Sequence, residues 1–277
     1  MTRSLAPQSF YRKTLAGVIL LACIAAAPTV PGANQTDKKE IIRQARLASY
    51  SLRRLGLLDL SANIKPNWES VLQEQIKADP SRAEAGLKLL AGLHFAINLD
   101  QDGKVTVTHH ADEAAPNERT AAGFKQIFDE MDRAVSGFFA LWSPFMLTSD
   151  FPEVEGDYRL EDLGDHYRLS YKETAVSVVT EMTRDFLITN SIISAPEFRC
   201  SIKPQFTKTS QGFVLSGCES NYIPTSGAGR TTHLKVRIDY QEVSGLQLPG
   251  KLNVDGDFDG TAFAIELAFA DYKLKLR

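Results

Sequence analysis

The stretch TAFAIELAFADYKLKL, residues 261–276, has the apolar pattern that decides the fold of this chain. Every second residue in its first half is large and apolar, namely Phe263, Ile265, Leu267 and Phe269. Side chains two residues apart share one face of an extended chain, so this period predicts a long β-strand with one buried face. The segment QLPGKLNV (247–254) precedes it by a short connection, and the two segments predict an antiparallel hairpin.

The chain between Gly156 and this hairpin consists of further strand-length segments separated by short turns. They are YRLEDL (158–163), HYRLSYK (166–172), TAVSVVTEM (174–182), DFLITNSI (185–192), FRCSIKPQFT (198–207), GFVLSGCES (212–220) and THLKVRIDYQEV (232–243). Short connections favour pairing between sequence neighbours, which gives an antiparallel meander. Because so many strands do not fit a flat sheet, we expect a strongly curved or barrel-like one.

Before Gly156 the apolar residues mostly follow a helical period. Helices are predicted from Gln35 to about Leu60, over 66–78, over Ser81–Leu90 and, as the most apolar helix, over 117–141 with Pro144 beyond its end. HFAINL (94–99) and KVTVTHH (104–110) flank a turn that contains Gly103 and predict a hairpin. The sequence thus predicts an α+β domain over residues 34–277, with helices at its N-terminal end.

Residues 1–33 have the pattern of an export signal. Arg3, Arg12 and Lys13 precede the apolar run LAGVILLA (15–22), and small residues follow it. The apolar stretch is shorter than the roughly 20 residues that span a bilayer as a helix. We therefore expect an exported protein of the periplasm or outer envelope.

Two cleavage sites fit this segment. Leu20-Leu21-Ala22-Cys23 resembles a lipobox, in which Cys23 is acylated and tethers the protein to a membrane. Against this, Ile24 follows the cysteine where a small or polar residue is more usual. Ordinary cleavage nearer Ala33 would instead release the protein. Both alternatives stay open.

The charge of the chain gives no indication of a nucleic-acid partner. The formal net charge is −3 and charged residues make up 23% of the sequence, without a basic stripe. No metal-like histidine spacing, no Gly-x-Ser-x-Gly elbow and no His-Glu-x-x-His motif is present. We accordingly expect neither an enzyme nor a cofactor.

Cys200 and Cys218 are the pair that remains when Cys23 is removed or acylated. They lie at similar distances from a turn near Thr209-Ser210, which would make them cross-strand neighbours in a hairpin. An exported protein folds in an oxidising compartment. The sequence therefore predicts a structural Cys200–Cys218 disulfide.

Asp255, Asp257 and Asp259, followed by Glu266, match the spacing of an EF-hand calcium loop. An EF-hand also needs a helix on each side. The flanking segments here are predicted strands, so we favour an acidic hairpin turn in which Gly260 supplies a positive φ. Calcium at the three aspartates stays the weaker alternative.

The segment from Phe124 to Phe145 is unusually rich in aromatic residues and methionine. A helix with such a stripe is most often core. Apolar groups on more than one of its faces, at Ile127-Phe128 and Phe138-Phe139, also suit a wall of a ligand cavity beside a curved sheet. The residues alone leave both interpretations open.

The order of these elements resembles the LolA/LolB-like superfamily of outer-membrane lipoprotein carriers. The most similar part is IDYQEVSGLQLPGKLNVDGDFDGTAFAIELAFADYKL (238–274), in which Gly245, Leu248 and Pro249 form a Gly-x-x-Leu-Pro turn before the final hairpin. The architecture is similar over the whole exported chain, whereas the motif is confined to its C-terminal third. Extra helices around 66–92 depart from the simplest carriers.

The resemblance implies a strongly curved antiparallel sheet, an incomplete barrel, with helices covering its concave face. It also implies a carrier or sensor that holds the acyl chains of lipids or lipoproteins in an apolar cavity. The candidate lining residues are Phe124, Phe128, Met131, Val135, Phe138, Phe139 and Trp142. The alternative is a non-catalytic interaction or structural protein of the cell envelope, in which the same side chains fill the concavity.

Overall fold

The computed structural model describes residues 35–173, 175–225 and 230–277, which form five helices and twelve strands. The predicted export signal over 1–33, including Cys23, lies outside the described residues. No helix in the described ranges combines the length and the apolarity needed to cross a membrane.

The described residues form elements that largely match the predicted segments. The helices are α1 (Gln35–Ala48), α2 (Trp68–Val71), α3 (Gln73–Ala78), α4 (Pro80–Ala91) and α5 (Glu118–Met146). The strands are β1 (Leu57–Pro66), β2 (Leu93–Leu99), β3 (Val105–Ala111), β4 (Tyr158–Asp162), β5 (His166–Glu173), β6 (Val176–Thr183), β7 (Ile188–Ser194), β8 (Phe198–Thr209), β9 (Gly212–Pro224), β10 (Thr232–Val243), β11 (Leu246–Phe258) and β12 (Thr261–Leu276).

All twelve strands belong to one open antiparallel sheet, with the order β3-β2-β1-β12-β11-β10-β9-β8-β7-β6-β5-β4. Every pair in this order joins sequence neighbours except β1 and β12, while β3 and β4, which α5 separates in the chain, form the two edges of the sheet. Between β1 and β12, Leu60 lies opposite Leu274 and Ile64 lies opposite Phe269. The alternating C-terminal strand thus joins the long meander to the N-terminal hairpin, and the prediction of an α+β fold with a large antiparallel sheet is confirmed.

The predicted helix from Gln35 to Leu60 is wrong in its second half. The helix ends at Ala48, and after a turn at Gly56, which has a φ of +99°, the chain continues as strand β1. The buried side chains of Leu57, Leu60 and Ile64 are three and four residues apart, as in a helix. The free edges of β2 and β12 supply backbone partners on both sides of this segment, and that pairing outweighs its helical period.

α1 is fixed to the sheet at its C-terminal end. Ser49 forms a parallel bridge with Phe213 on β9, and the Tyr50 amide donates to the Phe213 carbonyl at 3.1 Å. The Tyr50 hydroxyl accepts a hydrogen bond from the Gln247 amide on β11 at 2.8 Å. α1 is therefore tied to two strands of the meander through the residues that follow it.

Candidate functional site

α5 is an amphipathic helix of 29 residues. Asn117 caps its N-terminus, and the side-chain oxygen of Asn117 accepts a hydrogen bond from the Thr120 amide at 2.9 Å. Its exposed side carries pairs of polar residues four positions apart, such as Lys125 and Asp129. The helix continues through Pro144 to Met146, beyond the predicted end at 141. The Leu147 amide, directly after it, still donates a helical hydrogen bond to the Ser143 carbonyl at 2.9 Å.

The apolar side of α5 contains the seven predicted lining residues. Five of them are buried, namely Met131, Val135, Phe138, Phe139 and Trp142, whereas Phe124 and Phe128 are partly buried. All seven belong to the same apolar cluster as the inward side chains of the sheet. We call these seven residues the lining set.

The N-terminal half of α5 contacts the hairpin β2–β3. The Phe128 ring lies edge-on to Phe95 with ring centroids 5.7 Å apart, and it stacks on His109 at 4.1 Å. His109 Nδ1 lies 3.5 Å from Asp132 Oδ1, one turn further along the helix. That oxygen is buried without a hydrogen-bond partner among the described residues. This end of the helix therefore contacts the hairpin through aromatic rings and one histidine–carboxylate contact.

The C-terminal half of α5 contacts the middle of the sheet. Phe138 and Phe139 each lie 6.1 Å from Phe269 on β12, measured between ring centroids. Phe145 lies 5.9 Å from Phe206 on β8. The apolar face of one helix thus extends across strands from β2 to β8.

Two polar contacts fix the register of this half on β9 and β10. The Trp142 indole donates to the Tyr240 hydroxyl at 3.0 Å, and that hydroxyl donates to the Leu215 carbonyl at 2.6 Å. The Leu215 amide in turn donates to the Met146 sulfur at 3.2 Å. Burial raises the pKa of Tyr240, so the phenol stays protonated and continues to donate.

Two concavities lie near the C-terminal end of α5, and neither is lined by a member of the lining set. The first is a partly enclosed space of about 10 Å³ beside Phe145, Asp150 and Phe206, with room for roughly one water molecule. Asp150 Oδ2 is buried there without a hydrogen-bond partner among the described residues. Burial, and then repulsion from Glu173, raises the pKa of Asp150 to about 7.

The second concavity is a cleft of about 240 Å³ between α1 and the segment after α5. Arg43, Arg46 and Arg54 line it. Arg46 donates to the carbonyls of Phe151 and Pro152, and Arg54 donates to those of Arg46 and Ser49. The guanidinium groups of Arg46 and Arg54 thus already donate hydrogen bonds to backbone carbonyls of the protein itself. Sequence reasoning missed this cleft because its walls are more than 90 residues apart in the chain.

The predicted Cys200–Cys218 disulfide is wrong for this structure, in which both residues are free thiols. Cys200 lies opposite Tyr222, whereas Cys218 lies opposite Pro204, so the two are four positions out of register. The hairpin turn is at Ser210-Gln211, later than predicted, and a bulge between β8 and β9 adds a further offset.

The three aspartates of the EF-hand-like stretch lie at the end of the β11–β12 hairpin. Asp255 forms an ion pair with Arg237 at 3.0 Å, and Asp257 accepts a hydrogen bond from the Gly260 amide at 2.8 Å. Gly260 has a φ of +82°, as the hairpin interpretation requires. Strands rather than helices flank the loop. Asp259 lies 3.5 Å from Arg230, so this geometry is that of a hairpin turn in which each of the three carboxylates has a partner.

We searched for similar proteins among family models, curated proteins and solved structures, and none of the three comparisons found a match for this chain.

Proposed function

We propose that this protein is a non-catalytic carrier or sensor of the cell envelope that binds acyl chains of lipids or lipoproteins between α5 and the sheet. The observation that carries the proposal is the continuous apolar face of α5. Along that face the lining set packs on strands from β2 to β10, with few directional bonds to hold it closed. The resemblance to LolA/LolB-like carriers supports the same interpretation.

The proposal requires the sheet to curve around α5 as an incomplete barrel, with the helix on its concave side. Twisted antiparallel sheets of this many strands do not stay flat. The described conformation is then the closed, ligand-free state, because the lining set occupies the space that an acyl chain would take. α5 acts as the lid, and its aromatic contacts give way to the ligand.

The free-energy cost of exposing the lining set is similar in size to the free-energy gain from burying an acyl chain in its place. Moving the five buried members of the lining set from the core into water costs roughly 8–15 kcal/mol, at about 1.5–3 kcal/mol each. Burying an acyl chain of about 16 carbons contributes roughly 13 kcal/mol, at about 0.8 kcal/mol per CH₂ group. Partial opening is thus offset by ligand burial, which suits a reversible carrier.

Tryptophan quenching by brominated fatty acids tests the proposal at the proposed site. The chain has two tryptophans, so Trp68→Phe leaves Trp142 as the reporter. Brominated palmitic acid should quench Trp142 emission in a saturable way, whereas unbrominated palmitic acid should compete without quenching. The matched variant Trp142→Phe reports instead from Trp68, which lies 6.2 Å from Phe95 at the other end of α5.

The alternative function is an interaction or structural protein that binds no lipid. The complete burial of Val135 and Trp142 favours it, since a filled core needs no ligand. It predicts no saturable quenching in either variant, and no lipid in native mass spectra of protein purified under mild conditions. Those two results together would rule out the carrier.

A further inference from the structure

The hairpin β2–β3 places two histidines next to each other on the face that does not contact α5. His94 on β2 lies directly opposite His110 on β3, and their rings stack with centroids 4.8 Å apart. His109, the neighbour of His110, points to the opposite face and contacts Phe128 of α5. The histidine pair is therefore separate from the proposed acyl-chain site.

Asp112 completes a group of three around this pair. It lies two residues after His110, on the same face, and its Oδ1 is 2.8 Å from His94 Nε2. Its amide donates to the Gly92 carbonyl at 2.9 Å, which extends the ladder past the end of β3. The residue opposite Asp112 is Gly92. Of the two neighbouring cross-strand pairs on this face, His94–His110 and Gly92–Asp112, three residues therefore carry potential ligand side chains and Gly92 carries none.

We propose that His94, His110 and Asp112 form a binding site for a divalent transition-metal ion such as Zn²⁺. One donor atom from each residue lies within 4.8 Å of the others. Donors bound to one Zn²⁺ are roughly 3–3.5 Å apart, given bond lengths of about 2.0–2.2 Å and tetrahedral angles. All three side chains are exposed, so small rotations bring the donors to that spacing.

The ligand chemistry favours this class of metal. Imidazole nitrogens combined with one carboxylate suit zinc, copper and nickel, whereas calcium and magnesium prefer sets made only of oxygen. Three protein ligands leave one tetrahedral position for water or for a group from another molecule. The site does not depend on the proposed carrier function and would operate in either alternative.

An internal comparison shows what distinguishes this cluster from an ordinary histidine–carboxylate pair. His166 Nδ1 lies 2.6 Å from Asp165 Oδ1, also at an exposed position. That pair resembles His94 and Asp112 in chemistry, but no second histidine among the described residues joins it in a three-residue cluster. It offers a matched control within the same chain.

Isothermal titration calorimetry with ZnCl₂ tests the proposal directly. The protein is purified without a histidine tag from cells that express the full chain, then treated with EDTA and dialysed. We expect saturation at one Zn²⁺ per chain. His94→Gln, His110→Gln and Asp112→Asn should each weaken binding by at least about 100-fold, because even the loss of a residue that only orients a ligand costs about 10- to 100-fold.

His166→Gln should bind Zn²⁺ as tightly as the unmodified protein. Thermal unfolding separates loss of ligands from loss of fold, since the metal-free Tm of all four variants should stay unchanged. Added Zn²⁺ should raise the Tm of the unmodified protein and of His166→Gln only. The proposal is overturned by an absence of saturable binding, by undiminished binding in the three ligand variants, or by an equal loss in His166→Gln.

Discussion

The indole of Trp142 on α5 donates to the hydroxyl of Tyr240 on β10 at 3.0 Å, and this bond joins the helix to the middle of the sheet. Tyr240→Phe removes the acceptor and also deprives the Leu215 carbonyl of its donor. Two buried polar groups then lose their partner, so we expect the free energy of unfolding to fall by about 1–3 kcal/mol. Urea unfolding with an unchanged m-value measures it.

Tyr158→Phe is the control for that experiment. Its hydroxyl donates to the Val154 carbonyl at 3.1 Å and is only partly buried. Water can replace this hydrogen bond, so the loss should be smaller than for Tyr240→Phe. Equal losses in the two variants would contradict the anchoring role of Tyr240.

The Tyr240→Phe substitution also distinguishes the carrier from a structural protein that binds no ligand. If an acyl chain must displace α5, then weakening the closed state raises the apparent affinity for that chain. Tyr240→Phe should therefore bind a fluorescent fatty acid more tightly than the unmodified protein. A lower affinity in Tyr240→Phe would contradict opening at this contact, and an absence of binding in both proteins would favour the structural alternative.

The sequence predicted the strands well where the apolar period was two residues, as in β12, and failed where local spacing was ambiguous. Leu57, Leu60 and Ile64 fit a helical face, and only the pairing of β1 with β2 and β12 decides for a strand. The pairing of β1 with β12 joins residues about 200 positions apart in the chain. No local pattern carries such information.

The candidate sites show the same limit. The aromatic face of α5 was visible in the sequence, but whether it lines a cavity depends on the space left by the sheet. The pairing of Cys200 depended on the exact turn and on one bulge, each of which shifts the register. The sequence shows His110 and Asp112 two positions apart, on one face of a strand, whereas His94 joins them only through the register of β2 and β3.

The two thiols should stay reduced and react only when the protein unfolds. Burial raises the pKa of Cys218 to about 12, so almost no reactive thiolate is present at neutral pH. In the native protein without reductant, iodoacetamide should label Cys200 and Cys218 only slowly. In 6 M guanidinium it should label both of them rapidly. Peptide mass spectrometry locates the label. A disulfide-linked peptide in the unreduced protein would contradict this register.

Asp150 should make stability fall as the pH rises from about 4 to 7. Its pKa is raised from 3.8 to about 7 in the folded protein, so the folded state binds the proton more tightly than the unfolded state. The stabilisation is complete below pH 3.8 and is lost as the pH rises through 7, by up to about 4 kcal/mol. Urea unfolding at pH 5 and pH 8 measures the slope.

Asp150→Asn should flatten that slope, because an amide does not titrate. Asp185→Asn, at an exposed position, should keep it. A slope equally steep in Asp150→Asn would show that another group causes it.

Two glycines should respond in opposite ways to the same substitution. Gly212, at the start of β9, has a φ of +126°, and a Cβ there would lie 2.7 Å from the Ala48 carbonyl oxygen at the end of α1. Gly212→Ala therefore strains the backbone and separates α1 from the sheet, with an expected loss of more than about 2 kcal/mol. Gly123 lies inside α5, where a Cβ meets no described atom within 4 Å, and Gly123→Ala should stabilise the helix by about 0.5–1 kcal/mol. Thermal unfolding of both variants checks the signs. A stabilising Gly212→Ala would mean that the end of α1 is not held against β9, since only a displaced Ala48 leaves room for the methyl group.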